Sequence, residues 1–183
     1  VERRSVLAGA AATLAPGAAG AQAAAKAETE PNAMPWQPAG AVTGKGVGDF
    51  DFLAGEWAIA HRRLKDGTTD SWDEFTSRAS VHRVLDGMAS IEELRKPEGS
   101  CMGMGVRVWH PDQALWADHW TSAANGVVNE PQMGRFIAGE GVFVSAEEKD
   151  GVRWLYRGVW DRITATSCRW HQSSSSDGGK NWR

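Results

Sequence analysis

The sequence predicts an all-β protein: an antiparallel up-and-down barrel of about nine to ten strands, entered through a short N-terminal plug helix. Three observations carry this expectation. Runs of β-branched, aromatic and alternating residues follow one another from Trp57 to the end of the chain. Turn residues, chiefly Asp-Gly and Gly-containing pairs, separate them. Apolar residues at helical spacing are missing after residue 55, and the connections are too short to carry a strand across to a second sheet. A long meander removes its exposed edges most simply by closing on itself, which places a barrel ahead of a two-sheet sandwich.

The plug is the stretch from Gly48 to Trp57. Asp49 is placed to N-cap a single helical turn, Phe50 and Leu53 fall on one side of it, and Gly55 can take the left-handed conformation that ends it. Trp57 then covers one end of the barrel. The first strand, Trp57 to Lys65, closes at Asp66-Gly67, and the second, Trp72 to Val84, ends at Asp86-Gly87. Met88 to Arg95 leads into the turn at Pro97 to Gly99, Met102 to Trp109 stops at Pro111-Asp112, and Leu115 to Thr121 stops before Asn125-Gly126. Met133 to Ala138, Val142 to Glu147, Val152 to Trp160 and Thr166 to Ser173 complete nine strands.

Ahead of this domain, which runs from 48 to 183, residues 1–23 read as a twin-arginine export signal. Arg3-Arg4 precedes a weakly apolar Ala/Gly run, and Ala21-Gln22-Ala23 has the small-x-small pattern of a cleavage site. Residues 24–47, rich in Ala, Pro and Gly without period, read as a flexible linker. The expected location is the periplasm or outside the cell, without a permanent membrane anchor, because the apolar run is too short to span a bilayer. Export of an already folded protein argues against a disulfide between Cys101 and Cys168, which read as buried small hydrophobes.

Composition narrows the function. Ten tryptophans stand against one tyrosine and five phenylalanines, which suggests either a core of large rings or a cavity with aromatic walls. A net charge of −3, with no stripe of Lys and Arg, excludes nucleic acid as an expected partner. The sequence contains no Gly-x-Ser-x-Gly, no phosphate-binding Gly-rich loop opening a helix, no Cys-x-x-Cys and no paired-His ligand spacing, so no metal site is expected.

Side-chain alternation supplies the candidate site. Trp57, Ile59, His61 and Arg63 share a face of the first strand, Trp72 and Glu74 a face of the second, and Trp116, Asp118 and Trp120 a face of the fifth. With those faces inward, Glu74 and Asp118 meet His61 and Arg63 in a polar patch walled by indoles, including Trp160 and Trp170. Arg135 and Arg169 are placed to lie against tryptophan faces. Such a constellation suits a small amphipathic or apolar ligand. Two alternatives use the same residues: an acid–base enzyme working through His61 with Asp118 or Glu74, and a structural domain whose polar groups satisfy one another.

The motifs from Asp49 onward resemble an uncharacterised bacterial family of calycin-like, lipocalin- or nitrobindin-like small barrels. The matching pieces include Asp49-Phe-Asp-Phe-Leu-x-Gly-x-Trp57, His61-Arg-Arg-Leu64, Leu85-Asp-Gly87, Gly134-Arg-Phe136, Arg169-Trp170-x-Gln172 and Ser176-Asp-Gly-Gly-Lys180 with Asn181-Trp182. The chain departs from the family pattern at Ile91-Glu-Glu93, at His119 and at His171, and it is shorter after Lys180. The resemblance implies the plugged barrel. The short end implies a seam left open between first and last strands or paired only by Lys180 to Arg183, with a homodimer through that seam as one possibility. A late Arg usually covers the first-strand Trp in such barrels, which makes Arg183 a candidate for that role. A related class holds haem through a late His, which would here be His171. No cofactor is otherwise expected.

Overall fold

The computed structural model describes residues 4–9 and 39–183. Most of residues 1–23, read from sequence as an export signal, and of residues 24–47, read as a linker, lies outside the described residues. The elements in order are β1 (Arg4–Gly9), a 3-10 turn (Asp51–Leu53), β2 (Gly55–Leu64), β3 (Trp72–Val84), a second 3-10 turn (Leu85–Gly87), β4 (Ala89–Arg95) and β5 (Cys101–His110). They continue with β6 (Leu115–Ser122), β7 (Gln132–Ile137), β8 (Glu140–Lys149), β9 (Val152–Asp161) and β10 (Ser167–Ser175). Strands β2 to β10 are the nine expected from sequence.

These nine pair antiparallel in chain order and form one strongly curled sheet. Its two edges, β2 and β10, do not meet. β1 lies between them, parallel to both, with Val6 in register with Ile59 on one side and Cys168 on the other, and so closes the ring. The chain's far end turns back on β10 as well, where Arg183 and Ser174 exchange backbone hydrogen bonds of 2.8 and 3.1 Å. Asp177 fixes that turn by accepting from the Lys180 and Asn181 backbone N–H groups and from the Ser175 hydroxyl.

Two-residue turns join β7 to β8 and β8 to β9, and longer loops join the other strands from β2 to β10. At the β7–β8 connection Ala138 and Gly139 both have positive φ, 51° and 85°, the backbone that matches strand twist and that a side chain disfavours. Ala138 is exposed, and Ala138→Gly is expected to stabilise the domain by about 0.5–1 kcal/mol in equilibrium denaturation.

The plug is a 3-10 turn, and Asp49 does not cap it. Its carboxylate instead accepts backbone N–H groups of Lys45 and Gly46, at 2.8 and 3.0 Å, and the Trp116 indole N–H at 3.3 Å. Asp49 thereby ties the segment before the plug to the sheet. Gly55 has a φ of 120°, which lets the chain turn from plug to strand. The Trp57 indole donates back to the Leu53 carbonyl at 2.6 Å and clamps the turn over the barrel end.

Beneath the turn, Phe50 is the hub of the core. Its ring stands edge-on to Trp116 at 5.0 Å, to Phe136 at 5.3 Å and to Trp160 at 6.3 Å, and is tilted against Phe143 at 5.6 Å. Aromatic pairs of this geometry add to what area burial alone contributes. Leu53, Trp57, Ile59, Ala79, Val81 and Cys168 complete a dry cluster that fills the plug half of the interior. The two cysteines are unbonded, and only Cys168 fits the expectation of burial. Cys101 is exposed at the rim, beside the bulge at Leu94 and Arg95 that shifts the β4–β5 register.

Candidate functional site: the barrel half opposite the plug

Away from the plug, the inward face changes character. His61, Arg63, Phe75, Asp118, Trp120, Gln132, Tyr156, Trp170 and Gln172 project into the barrel by strand alternation and register, and all are half-buried. Inward glycines make room for them. The Trp120 indole lies across Gly103, where an added Cβ would come within 2.4 Å of the ring. Gln132 and Trp170 meet over Gly158, their Oε1 and Nε1 at 2.6 and 3.2 Å from the place a Cβ would occupy. At the mouth, Trp154, Tyr156 and Ser174 line a hollow of about 320 Å³ with the β8–β9 hairpin.

Between the two halves lies a buried charge cluster. Arg107 on β5 donates to Glu92 on β4 at 2.5 Å and lies 3.5 Å from Asp118 on β6. Its guanidinium also sits over the rings of Trp160 and Phe50, 5.0 and 5.3 Å from their centroids. Burial by itself would lower the Arg107 pKa, but the Asp118 and Glu92 carboxylates outweigh it and raise the value. Burial raises the Asp118 pKa, Glu92 adds to that rise, and Arg107 opposes it. Two acids therefore share one base in the middle of the barrel.

His61 enters this interior from β2. It stacks flat on Phe75, centroids 4.4 Å apart, and its Nε2 lies 2.5 Å from the Ser77 hydroxyl. Burial lowers its pKa to about 4, with Arg63 adding to the fall and Glu92 opposing it. The imidazole is thus neutral at pH 7. In an NMR titration the His61 ring protons should stay unchanged through pH 6 and shift with a midpoint near about 4. A midpoint at the ordinary value would mean that the ring is solvated.

Several residues expected at one patch are not brought together. β3 turns Asp73, Phe75 and Ser77 inward, so Trp72 and Glu74 face outward, where Trp72 stacks on Arg62 and Glu74 lies 3.8 Å from the same guanidinium. Glu74 therefore does not pair with His61, whose hydrogen-bond partner is Ser77, and Asp118 is held by Arg107. Trp57, Trp116 and Trp160 are rings of the filled half rather than of the accessible one. Arg135 projects outward from β7. Arg183 lies over Trp154, 5.8 Å from its centroid, not over Trp57.

Arg169 and His171 also lie on the outer face, around Asp161. Burial at Asp161 is outweighed by the two hydrogen bonds from Arg169, which hold its carboxyl below the usual range, and His171 Nε2 is 3.5 Å away. The late His through which a haem would be held thus has a carboxylate beside it. Among the described residues no three His, Cys, Asp or Glu side chains converge as a metal site requires, and no helix is long and apolar enough to cross a membrane.

Arg107 and Glu92 are the residues the sequence reading missed. On β5 the outward residues Met104, Val106 and Val108 are the apolar ones, while Gly103, Gly105 and Arg107 point in. That inversion of the usual pattern hid them. An Arg in mid-strand with Gly at the two preceding alternate positions was the available signal. Comparison of the chain with protein-family models, curated proteins and solved structures returns no match.

Proposed function

We propose that this is an exported binding protein that takes a small amphipathic or apolar molecule into the half of its barrel opposite the plug. The observation that carries the reading is the division of the interior. The plug half is a closed apolar cluster around Phe50, and Trp120 and Trp170 pack against it while they and the polar groups beyond them remain half-exposed on the inward face. Ligand sites are built in this way, from apolar walls and a few directed polar groups. Arg3-Arg4 and the cleavage pattern ending at Ala23 support export, and the motifs from Asp49 onward support kinship with calycin-like barrels. Cleavage after Ala23 would remove β1 and leave the β2 and β10 edges free to pair with a second copy.

Titration of the purified protein with a panel of fatty acids, haem, aromatic acids, alcohols and amines, read by tryptophan fluorescence, tests the reading. A saturable change that is lost in Trp120→Ala is expected. Silence across the panel would leave a structural domain.

A further inference from the structure

Resting on that reading, we propose that the molecule taken up is a small cationic amphiphile, an arylalkylamine or similar amine, with its ammonium group against Asp118 and Glu92 and its apolar body on Trp120 and Trp170.

The charge count inside the barrel is the first support. Among the described residues Glu92 and Asp118 share Arg107 alone, His61 is neutral, and Arg63 is engaged by Asp73 at 3.6 Å. With both carboxylates ionised the cluster is one positive charge short, and burial together with Glu92 disfavours the ionised Asp118 that an ammonium group against it would favour. Access is the second. The Asp118 and Glu92 side chains are 16 and 11% exposed against 5% for Arg107, so the part of the cluster that solvent reaches is carboxylate rather than guanidinium. The pairing is also uneven, 2.5 Å to Glu92 and 3.5 Å to Asp118, which leaves Asp118 with acceptor capacity that Arg107 does not use.

Unpaired buried atoms point to an occupant independently of charge. Among the described residues Arg107 Nη1 and Ser90 Oγ have no hydrogen-bond partner, and these two residues sit opposite each other on the inward faces of β4 and β5. Leaving such atoms unmatched is costly, and a hydroxyl or carbonyl oxygen beside the amine would engage them. The walls agree with the charge. Indole faces attract cations as well as apolar surface, and Trp120 shares the inward face of β6 with Asp118, two residues away. An anionic ligand would be repelled by the two carboxylates.

Phenethylamine, 2-phenylethanol and phenylacetate have nearly the same shape and differ in charge. Calorimetric titration of the protein with each is expected to show the amine binding at least tenfold more tightly than the alcohol and the acid weakest. Asp118→Asn should reduce amine affinity about tenfold and leave the alcohol unchanged. Trp120→Ala should weaken both, which separates wall from charge if the Asn variant folds poorly. Equal affinity for amine and alcohol, or preference for the acid, overturns the amine assignment and leaves ligand binding standing. Binding of other compounds from the broad panel with none of these three overturns it likewise, and failure of every compound overturns the binding reading itself.

Discussion

Arg107→Met is expected to cost about 3–5 kcal/mol of stability at neutral pH, read as the shift in a urea or guanidinium unfolding midpoint. The loss comes from what remains: Glu92 and Asp118 would be two carboxylates in the barrel centre without a cation. A buried charge that loses its partner is far more damaging than a pair replaced whole. Replacing all three, as Arg107→Met with Glu92→Met and Asp118→Leu, should therefore recover most of the stability. A triple variant as unstable as the single one would show that the cluster holds the barrel by its hydrogen bonds rather than by charge balance.

The same variant carries a pH signature. Burial already raises the Asp118 pKa against the opposition of Arg107, and without Arg107 that opposition is gone, so protonation favours the folded state. Stability is then greatest below the ordinary carboxylate range and falls as pH rises through the folded values. The Arg107→Met midpoint should rise on acidification from pH 8 to 5. His61 works in the opposite sense, because its folded value of about 4 lies below the unfolded one, and stability from its neutral form is lost as pH falls from about 6.5 toward 4. His61→Asn in the Arg107→Met background removes that opposing slope.

Phe50→Ala should be the most damaging substitution in the plug, at about 3–5 kcal/mol by thermal or chemical unfolding. The ring touches Trp116, Phe136, Phe143 and Trp160, which come from four different strands, so the void cannot be closed by one of them moving. Phe50 also belongs to the segment that Trp57 clamps at Leu53, and its loss should loosen the barrel end. A loss near 1 kcal/mol would mean that the turn lies on an already complete core.

The strands were legible because their evidence is local. Alternation and turn residues such as Asp66-Gly67, Asp86-Gly87 and Asp150-Gly151 mark the hairpins within the chain itself, and all nine strands lie within two residues of the expected bounds. Which face points inward is not local. Alternation puts Trp72 and Glu74 on one face of their strand without fixing which way that face points; in register with β2 it points outward, where Trp72 packs on Arg62, and the inward places beside His61 go to Phe75 and Ser77. The charge cluster was hidden for the same reason, since Glu92, Arg107 and Asp118 come from three strands and acquire meaning only in register. Asp49 was read as a cap for the residues after it, whereas its partners precede it in sequence or lie across the fold at Trp116.

The inward glycines have a consequence for how this sequence can change over time. At Gly103 and Gly134 an added Cβ would meet a backbone carbonyl as well as a ring, Thr121 at 2.5 Å and Val142 at 2.1 Å, so these two positions are closed to any side chain. Gly158 differs, because what it would meet are the side chains of Gln132 and Trp170. Neither side of that contact is free to drift alone: a side chain at Gly158 collides with the amide and the indole, and a small residue at 170 leaves a hole. Homologues should therefore keep glycine at 103 and 134 and show covariation of 158 with 132 and 170, with a bulky residue migrating from one strand to its neighbour while the bore of the barrel stays the same. Diversity in what such barrels hold would then arise through paired exchanges, with the strand framework left intact.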